Sequence, residues 1–310
     1  MAEELPTVLA SSVIRSSEQG NSHGGVYLVN LAKNSFQQVV DWNDQSISWE
    51  GRGWDRGLRG IAFYDEHIYL AASDELFVYD QDFTIVKSFT NPYLKHCHEI
   101  SIYQQRLYLT STGFDAILEF DLTKEQFTRA WQAVSINGQI TDLRPFDPLL
   151  ATGPSASMDC HINNIGFWQN KMHLSGTKLN SLALFNGREV MQWGGIPLTS
   201  HNAQVFGNGT LCNDTGSDQV AVFNRQGQLQ EAFTITKYPQ NELDWTHLTE
   251  DRARQGFARG LALYGNDKLI AGSSPSTISV YQFGGHEPVC IMQLTNDIRN
   301  SIHGLEVWPY

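Results

Sequence analysis

The sequence predicts an all-β chain folded as a six-bladed β-propeller, and three observations predict it. The first is a repeat: residues 59–73 (RGIAFYDEHIYLAAS), 98–112 (HEISIYQQRLYLTST), 163–177 (NNIGFWQNKMHLSGT), 201–215 (HNAQVFGNGTLCNDT) and 259–273 (RGLALYGNDKLIAGS) align without gaps, and a shortened sixth copy, HGLEVWPY, begins at His303. The second is the shared character of the copies. Two and four places after the leading residue each complete copy is apolar, as at Ile61 and Phe63 or Ile165 and Phe167, the period of a strand with one packed face. A polar or glycine turn and a second β-rich run follow, ending in Ser or Thr fourteen places on (Ser73, Thr112, Thr177, Thr215, Ser273), so each copy reads as a hairpin. The third is spacing. Leading residues fall 39, 65, 38, 58 and 44 positions apart, and the two long intervals hold extra segments, so the period is about 40, that of a four-stranded propeller blade.

Taken in order, residues 1–5 read as a loose end. Residues 7–14, 25–31 and 36–42 are strands without an inner partner, whereas 303–310 is an inner strand without outer ones. The last blade is therefore expected to be closed by the C-terminal inner strand and the N-terminal outer strands, which leaves no open sheet edge. After a Gly-rich link at 51–57, the complete blades add outer strands at 75–79 and 83–89, 116–121 and 126–131, 181–185 and 189–193, 219–223 and 231–236, and 277–283 and 288–294. Two stretches interrupt the pattern. Residues 134–158, with Gly138, Pro145, Pro148 and Pro154, read as a loop inserted over one face; residues 237–254 read as a second insertion whose ELDWTHLTEDRAR forms a short helix. Because one repeat cannot bury its own apolar face, the even spread argues for a single domain over residues 1–310.

Composition narrows the function classes. With 33 acidic against 21 basic residues and a formal charge of −12, and without any basic run, the surface suits neither nucleic acid nor an anionic membrane. The N-terminal residues lack the pattern of a secretory signal, and no stretch of eighteen apolar residues occurs, so a cytoplasmic location is expected. The four cysteines, Cys97, Cys160, Cys212 and Cys290, form no CxxC pair and read as buried thiols; Cys97 and Cys160 each precede a histidine, which leaves a reactive thiol as the other reading. Oligomeric state is not encoded in any feature of the pattern.

In a propeller the first strand of each blade lines the central channel, so the leading residues stand around it: Arg59, His98, Asn163, His201, Arg259 and His303. Histidine recurs in blades two, four and six. Three imidazoles on alternate blades suit a three-histidine site with open positions for water or substrate, holding a divalent transition metal such as Fe, Zn or Mn. His161, two residues before Asn163, is a fourth ligand or a proton carrier, and His96 bears the same relation to His98. Arg59 and Arg259, each followed by Gly, would fix the charge of a small anionic substrate, with Asn163 beside them; the structural alternative pairs them with Glu99, Asp142 or Glu306. Glu99, Asn164 and Asn202, one place further on, are expected to be hydrogen-bonding groups between blades. The aromatic residues five places after the leading one, Tyr64, Tyr103, Trp168, Phe206, Tyr264 and Trp308, are packing.

With this repeat and these leading residues, the chain resembles the six-bladed β-propeller superfamily of the gluconolactonase-like lactonases, strictosidine-synthase-like proteins and NHL-repeat lyases, and also resembles uncharacterised bacterial propeller proteins. The lactonase-type site holds its metal with a Glu/Asn/Asp set, whereas His and Arg lead the strands here; the His-lined metal sites of the amidating lyase and of oligogalacturonate lyases are similar in ligand type. The expected function is a metal-dependent enzyme, a lyase or hydrolase before an oxygenase, acting on a small anionic substrate at the channel mouth. His98, His201, His303 and His161 would hold the metal, and His161, Arg59 and Arg259 would act in catalysis. The alternative is a non-catalytic propeller that binds a protein or sugar, with a structural His ring.

Overall fold

Twenty-five strands account for most of the regular structure in the computed structural model, which describes residues 4–43 and 57–310. The chain begins with β1 (Thr7–Ile14), β2 (Gly25–Asn30) and β3 (Ser35–Asp41), followed by β4 (Ile61–Tyr64), β5 (His67–Ala72), β6 (Glu75–Tyr79) and β7 (Ile85–Thr90). Next come β8 (Ile100–Tyr103), β9 (Arg106–Ser111), β10 (Ala116–Asp121), β11 (Gln126–Ile136) and β12 (Gln139–Phe146), then β13 (Ile162–Trp168), β14 (Lys171–Gly176), β15 (Ser181–Phe185) and β16 (Val190–Gly195). The remainder is β17 (Ser200–Phe206), β18 (Gly209–Asp214), β19 (Gln219–Asn224), β20 (Leu229–Thr234), β21 (Arg259–Tyr264), β22 (Lys268–Ser273), β23 (Thr277–Gln282), β24 (Cys290–Gln293) and β25 (Asn300–Val307). They form six sheets, five of four strands and one of five. This is a six-bladed β-propeller.

The sheet ordered β25-β1-β2-β3 is closed by both ends of the chain, as expected: Val8 pairs with Val307, and Trp308 N–H donates to the Thr7 carbonyl at 2.9 Å. The hairpins repeat a local device. Asp65 and Glu66 (φ 48° and 61°), Gln104 and Gln105 (49° and 59°), and Gln169 and Asn170 (47° and 61°) take the paired left-handed conformation of a type I′ turn, whose twist matches its strands. Middle strands such as β9 and β10 are buried along almost their whole length while outer strands such as β3 and β7 are mostly exposed, which is why the middle strands read as nearly continuous apolar or small residues.

Two expectations about the insertions are corrected. Residues 134–146 are not loop: β11 continues to Ile136, turns on Asn137 and Gly138 (φ 52° and 77°) and returns as the edge strand β12, paired from Ile136↔Gln139 to Ala130↔Phe146. The Asn-Gly dipeptide is a strong hairpin signal, and Pro145 is tolerated because β12 lies at the sheet edge. The second insertion forms no helix beyond a 3₁₀ turn at Gln240–Glu242, after Pro239. Its apolar anchors Leu243, Leu248 and Ala253 stand five residues apart, a spacing that cannot align on one helical face; they pack instead with Tyr238 and Ile298, beside a bridge from Asp244 to Asp297. The expected link at 51–57 lies, apart from Gly57, outside the described residues.

The chain divides into two compact units, one of the described residues up to Ile61 with Ser217–Val220 and Ala232–Tyr310, the other of Ala62–Gly216 with Ala221–Glu231. The first is cored by Val8, Val29, Ile270, Ile278, Val280 and Ile302. The second has cores around Leu76, Leu107, Leu118 and Phe120 and around Ile117, Ile140, Ile162 and Leu174. Among the described residues no helix is long and apolar enough to cross a membrane.

Candidate functional site

In the second unit the structure brings three of the expected imidazoles together. The His98 ring stands 5.5 Å from that of His161 and 6.5 Å from that of His201, centroid to centroid. His98 and His201 are held in the same way. Two residues before each, His96 and Thr199 sit in the left-handed region (φ 54° and 68°), where a non-glycine residue is strained, and their carbonyls meet Nδ1 of His98 at 2.8 Å and of His201 at 3.0 Å. Thr112 and Thr215, fourteen places on, approach the same nitrogens at 2.9 and 3.0 Å. A carbonyl only accepts, and the Thr112 hydroxyl is already donated to the Ile162 carbonyl. Both networks therefore assign the proton to Nδ1 and the lone pair of the neutral ring to Nε2.

Around these rings lies a polar chain. Asn202 donates from Nδ2 to Glu99 at 2.9 Å, and its Oδ1 accepts from Asn213 at 3.0 Å. Asn164 donates to the Ala203 carbonyl at 2.7 Å, linking neighbouring blades as expected. Asn163 is 2% exposed and donates to the Ser200 carbonyl at 2.8 Å, but among the described residues its buried Oδ1 has no hydrogen-bond partner. Such an orphaned acceptor calls for a donor.

His161 owes its place to Asp115, a residue that sequence reasoning missed. The Asp115 carboxylate is buried after a 3₁₀ turn and accepts from Ser157 Oγ at 2.9 Å, Cys160 N–H at 3.0 Å and Ile162 N–H at 3.4 Å. It thus clamps the backbone on both sides of His161, itself left-handed at φ 51°. Burial pushes the Asp115 carboxyl above its usual range, against the lowering effect of those hydrogen bonds. Burial also raises the Cys160 thiol to about 12, so the reading of Cys160 as a reactive thiolate does not hold. All four cysteines are free, and Cys97, Cys160 and Cys212 are buried.

The other leading residues lie in the first unit. Arg59 is 2% exposed, and its carbonyl accepts from the Ser11 hydroxyl. Arg259 Nη1 lies 3.3 and 3.5 Å from the two ring nitrogens of His303, alongside the imidazole, and its guanidinium stacks on Phe257 at 4.3 Å. Of the acids named as alternative arginine partners, Glu99 accepts from Asn202 at 2.9 Å and Asp142 meets Arg144 at 3.5 Å. The aromatic column packs as expected, Tyr103 stacking on Phe167 at 4.3 Å and Trp168 lying 4.6 Å from Trp193.

Among the described residues no three His, Cys, Asp or Glu side chains are set so as to hold a metal ion. An Nδ1–H fixed on a carbonyl is the arrangement that orients a metal-binding imidazole, and His98 and His201 both have it. The Ser/Thr column was visible as a repeat; its bond to the leading histidine required the fold.

No protein-family model matches the chain, and no curated protein matches it in sequence. Solved structures do match in fold. A protein of unknown function from Bacteroides caccae is 10% identical, with 97% of this chain and 98% of that chain covered and a TM-score of 0.59. A catalytically inactive variant of virginiamycin B lyase from Staphylococcus aureus, with quinupristin, is 10% identical over 80% of this chain and 72% of that one, with a TM-score of 0.47. A streptogramin B lyase is 13% identical over 82% and 94%, with a TM-score of 0.47. At 10% identity the likeness to the Bacteroides caccae protein concerns the fold alone.

Proposed function

We propose that the chain is a metal-dependent enzyme, a lyase or hydrolase before an oxygenase, acting on a small anionic molecule in the cytosol. The observation that supports this best is the matched orientation of His98 and His201, each with its Nδ1–H fixed on a backbone carbonyl, with His161 against His98. A divalent Fe, Zn or Mn ion would take these imidazoles and would supply polarisation of a substrate carbonyl or activation of water. His161 is the ring best suited to give up that role and carry a proton. Asn163 offers its buried Oδ1 to a substrate hydroxyl or amide. His303 was expected as a further ligand. In this proposal it serves with Arg259, whose cationic guanidinium lies against both ring nitrogens and opposes a second cation there.

The test is elemental analysis of untagged protein. About one equivalent of a transition metal is expected in the wild type and none in a His98→Ala/His201→Ala variant. Protein without metal, or with the same metal in both forms, sinks the reading in favour of a non-catalytic propeller.

A further inference from the structure

We propose that the sheet ordered β25-β1-β2-β3 binds a neutral pyranose saccharide in a hollow bordered by Phe36, Trp308 and Tyr310. This goes beyond the functional reading above and does not rest on it. The hollow has a volume of about 440 Å³, within the range of small-molecule sites. Phe36 and Tyr310 are each 45% exposed, and Trp308 is half-buried. Trp308 and Tyr310 stand edge to face, their ring centroids 5.2 Å apart at 82°, so the two rings form an angled wall. Aromatic side chains left at the surface around one concavity are the kind of patch that marks a binding site.

The sheet register explains how polar groups come to stand beside these rings. Thr7 pairs with Asn30 and Asn30 with Ser35, while Trp308 N–H donates to the Thr7 carbonyl, so these positions lie in one row across the blade. Gln37, two places after Ser35, falls on the same face. Asn30 donates from Nδ2 to Thr7 Oγ1 at 3.2 Å and accepts from Lys33 N–H at 2.8 Å, which fixes the middle of the row. None of the side chains that line the hollow is charged, in a chain of formal charge −12; such a lining suits an uncharged ligand. The Thr7 and Ser35 hydroxyls and the Gln37 amide both donate and accept, as every sugar hydroxyl does. A pyranose also presents a face of C–H groups, which meets the negative face of an aromatic ring. A proline-rich peptide, the other ligand of aromatic-lined grooves, offers carbonyl acceptors but no proline N–H, and so would use only the donors of this row.

The experiment is calorimetric titration of the full chain with maltose, cellobiose and N,N′-diacetylchitobiose, with sorbitol as an acyclic polyol and oligoproline as the peptide. One of the disaccharides is expected to bind at least about tenfold more tightly than sorbitol, which has no ring to stack, and Trp308→Ala is expected to weaken it about tenfold. Gln37→Ala, at an exposed position of the edge strand β3, is expected to weaken it about fivefold, the effect of one lost hydrogen bond, and keeps the test open should Trp308→Ala fail to fold. Trp245→Ala, which removes a tryptophan that is 43% exposed and does not line the hollow, should leave binding unchanged. The proposal is overturned if no disaccharide binds, if sorbitol binds as tightly as they do, if oligoproline binds more tightly, or if folded Trp308→Ala and Gln37→Ala variants bind as the wild type does.

Discussion

At the level of single residues, the +14 threonines show how much chemistry a repeat can conceal. Thr112 and Thr215 were evident as a column of Ser and Thr, but a period-two pattern reports only which face a side chain takes, not that a hydroxyl fourteen places away meets an imidazole. Thr112→Val and Thr215→Val should each weaken metal binding about 10- to 100-fold with the fold intact, because the ring loses an orienting partner; titration with Zn(II) measures it. His173 carries a second prediction. Its ring is buried over Gly166, where an added Cβ would fall 2.4 Å from Nε2, and burial lowers its pKa to about 4. The unfolded chain takes up this proton below about 6.5 and the folded protein does not until about 4, so stability falls as the pH drops through that window, by about 3 kcal/mol in all. In His173→Phe this part of the pH dependence should vanish, as urea unfolding at pH 7 and pH 4.5 would show.

At the level of elements, the sequence reading was accurate wherever strands followed the repeat and failed where local turn chemistry departed from it. The strands from β4 to β10 were legible from alternation. The hairpin of β11 and β12 was not, because three prolines in residues 134–158 outweighed one Asn-Gly turn. Gly138→Ala should cost about 1 kcal/mol, since Ala resists a positive φ and its Cβ would stand 2.9 Å from Asn180 Nδ2; urea titration reads the loss. The segment that follows β12 depends on Asp115, which no periodicity singles out. Asp115→Ala leaves Cys160 and Ile162 N–H groups without their acceptor, so faster proteolysis within residues 147–158 is expected, together with a changed His161 signal in histidine NMR spectra.

At the level of the whole molecule, the architecture was legible because six copies of one pattern imply a closed arrangement, and the terminal strands completed it. The leading residues were found by position alone. That His98 lies against His161 and His201, and Arg259 against His303, was not legible, because alignment places side chains in register without saying which neighbour each one meets. Removing residues 300–310 strips β25 from β1 and exposes an inner edge; such a truncation is expected to be insoluble, and a shift of the protein to the pellet on expression is the readout.

The hydrogen bond from Trp308 to Thr7 leaves the first and last strands finishing side by side. A short peptide could therefore join the two extremities into a continuous chain, and the sequence could be reopened at the outward-facing Leu149 and Leu150, which are 66% and 55% exposed. Such a permuted molecule should retain the native circular dichroism spectrum, now with the seam of its unusual sheet sewn by a covalent link.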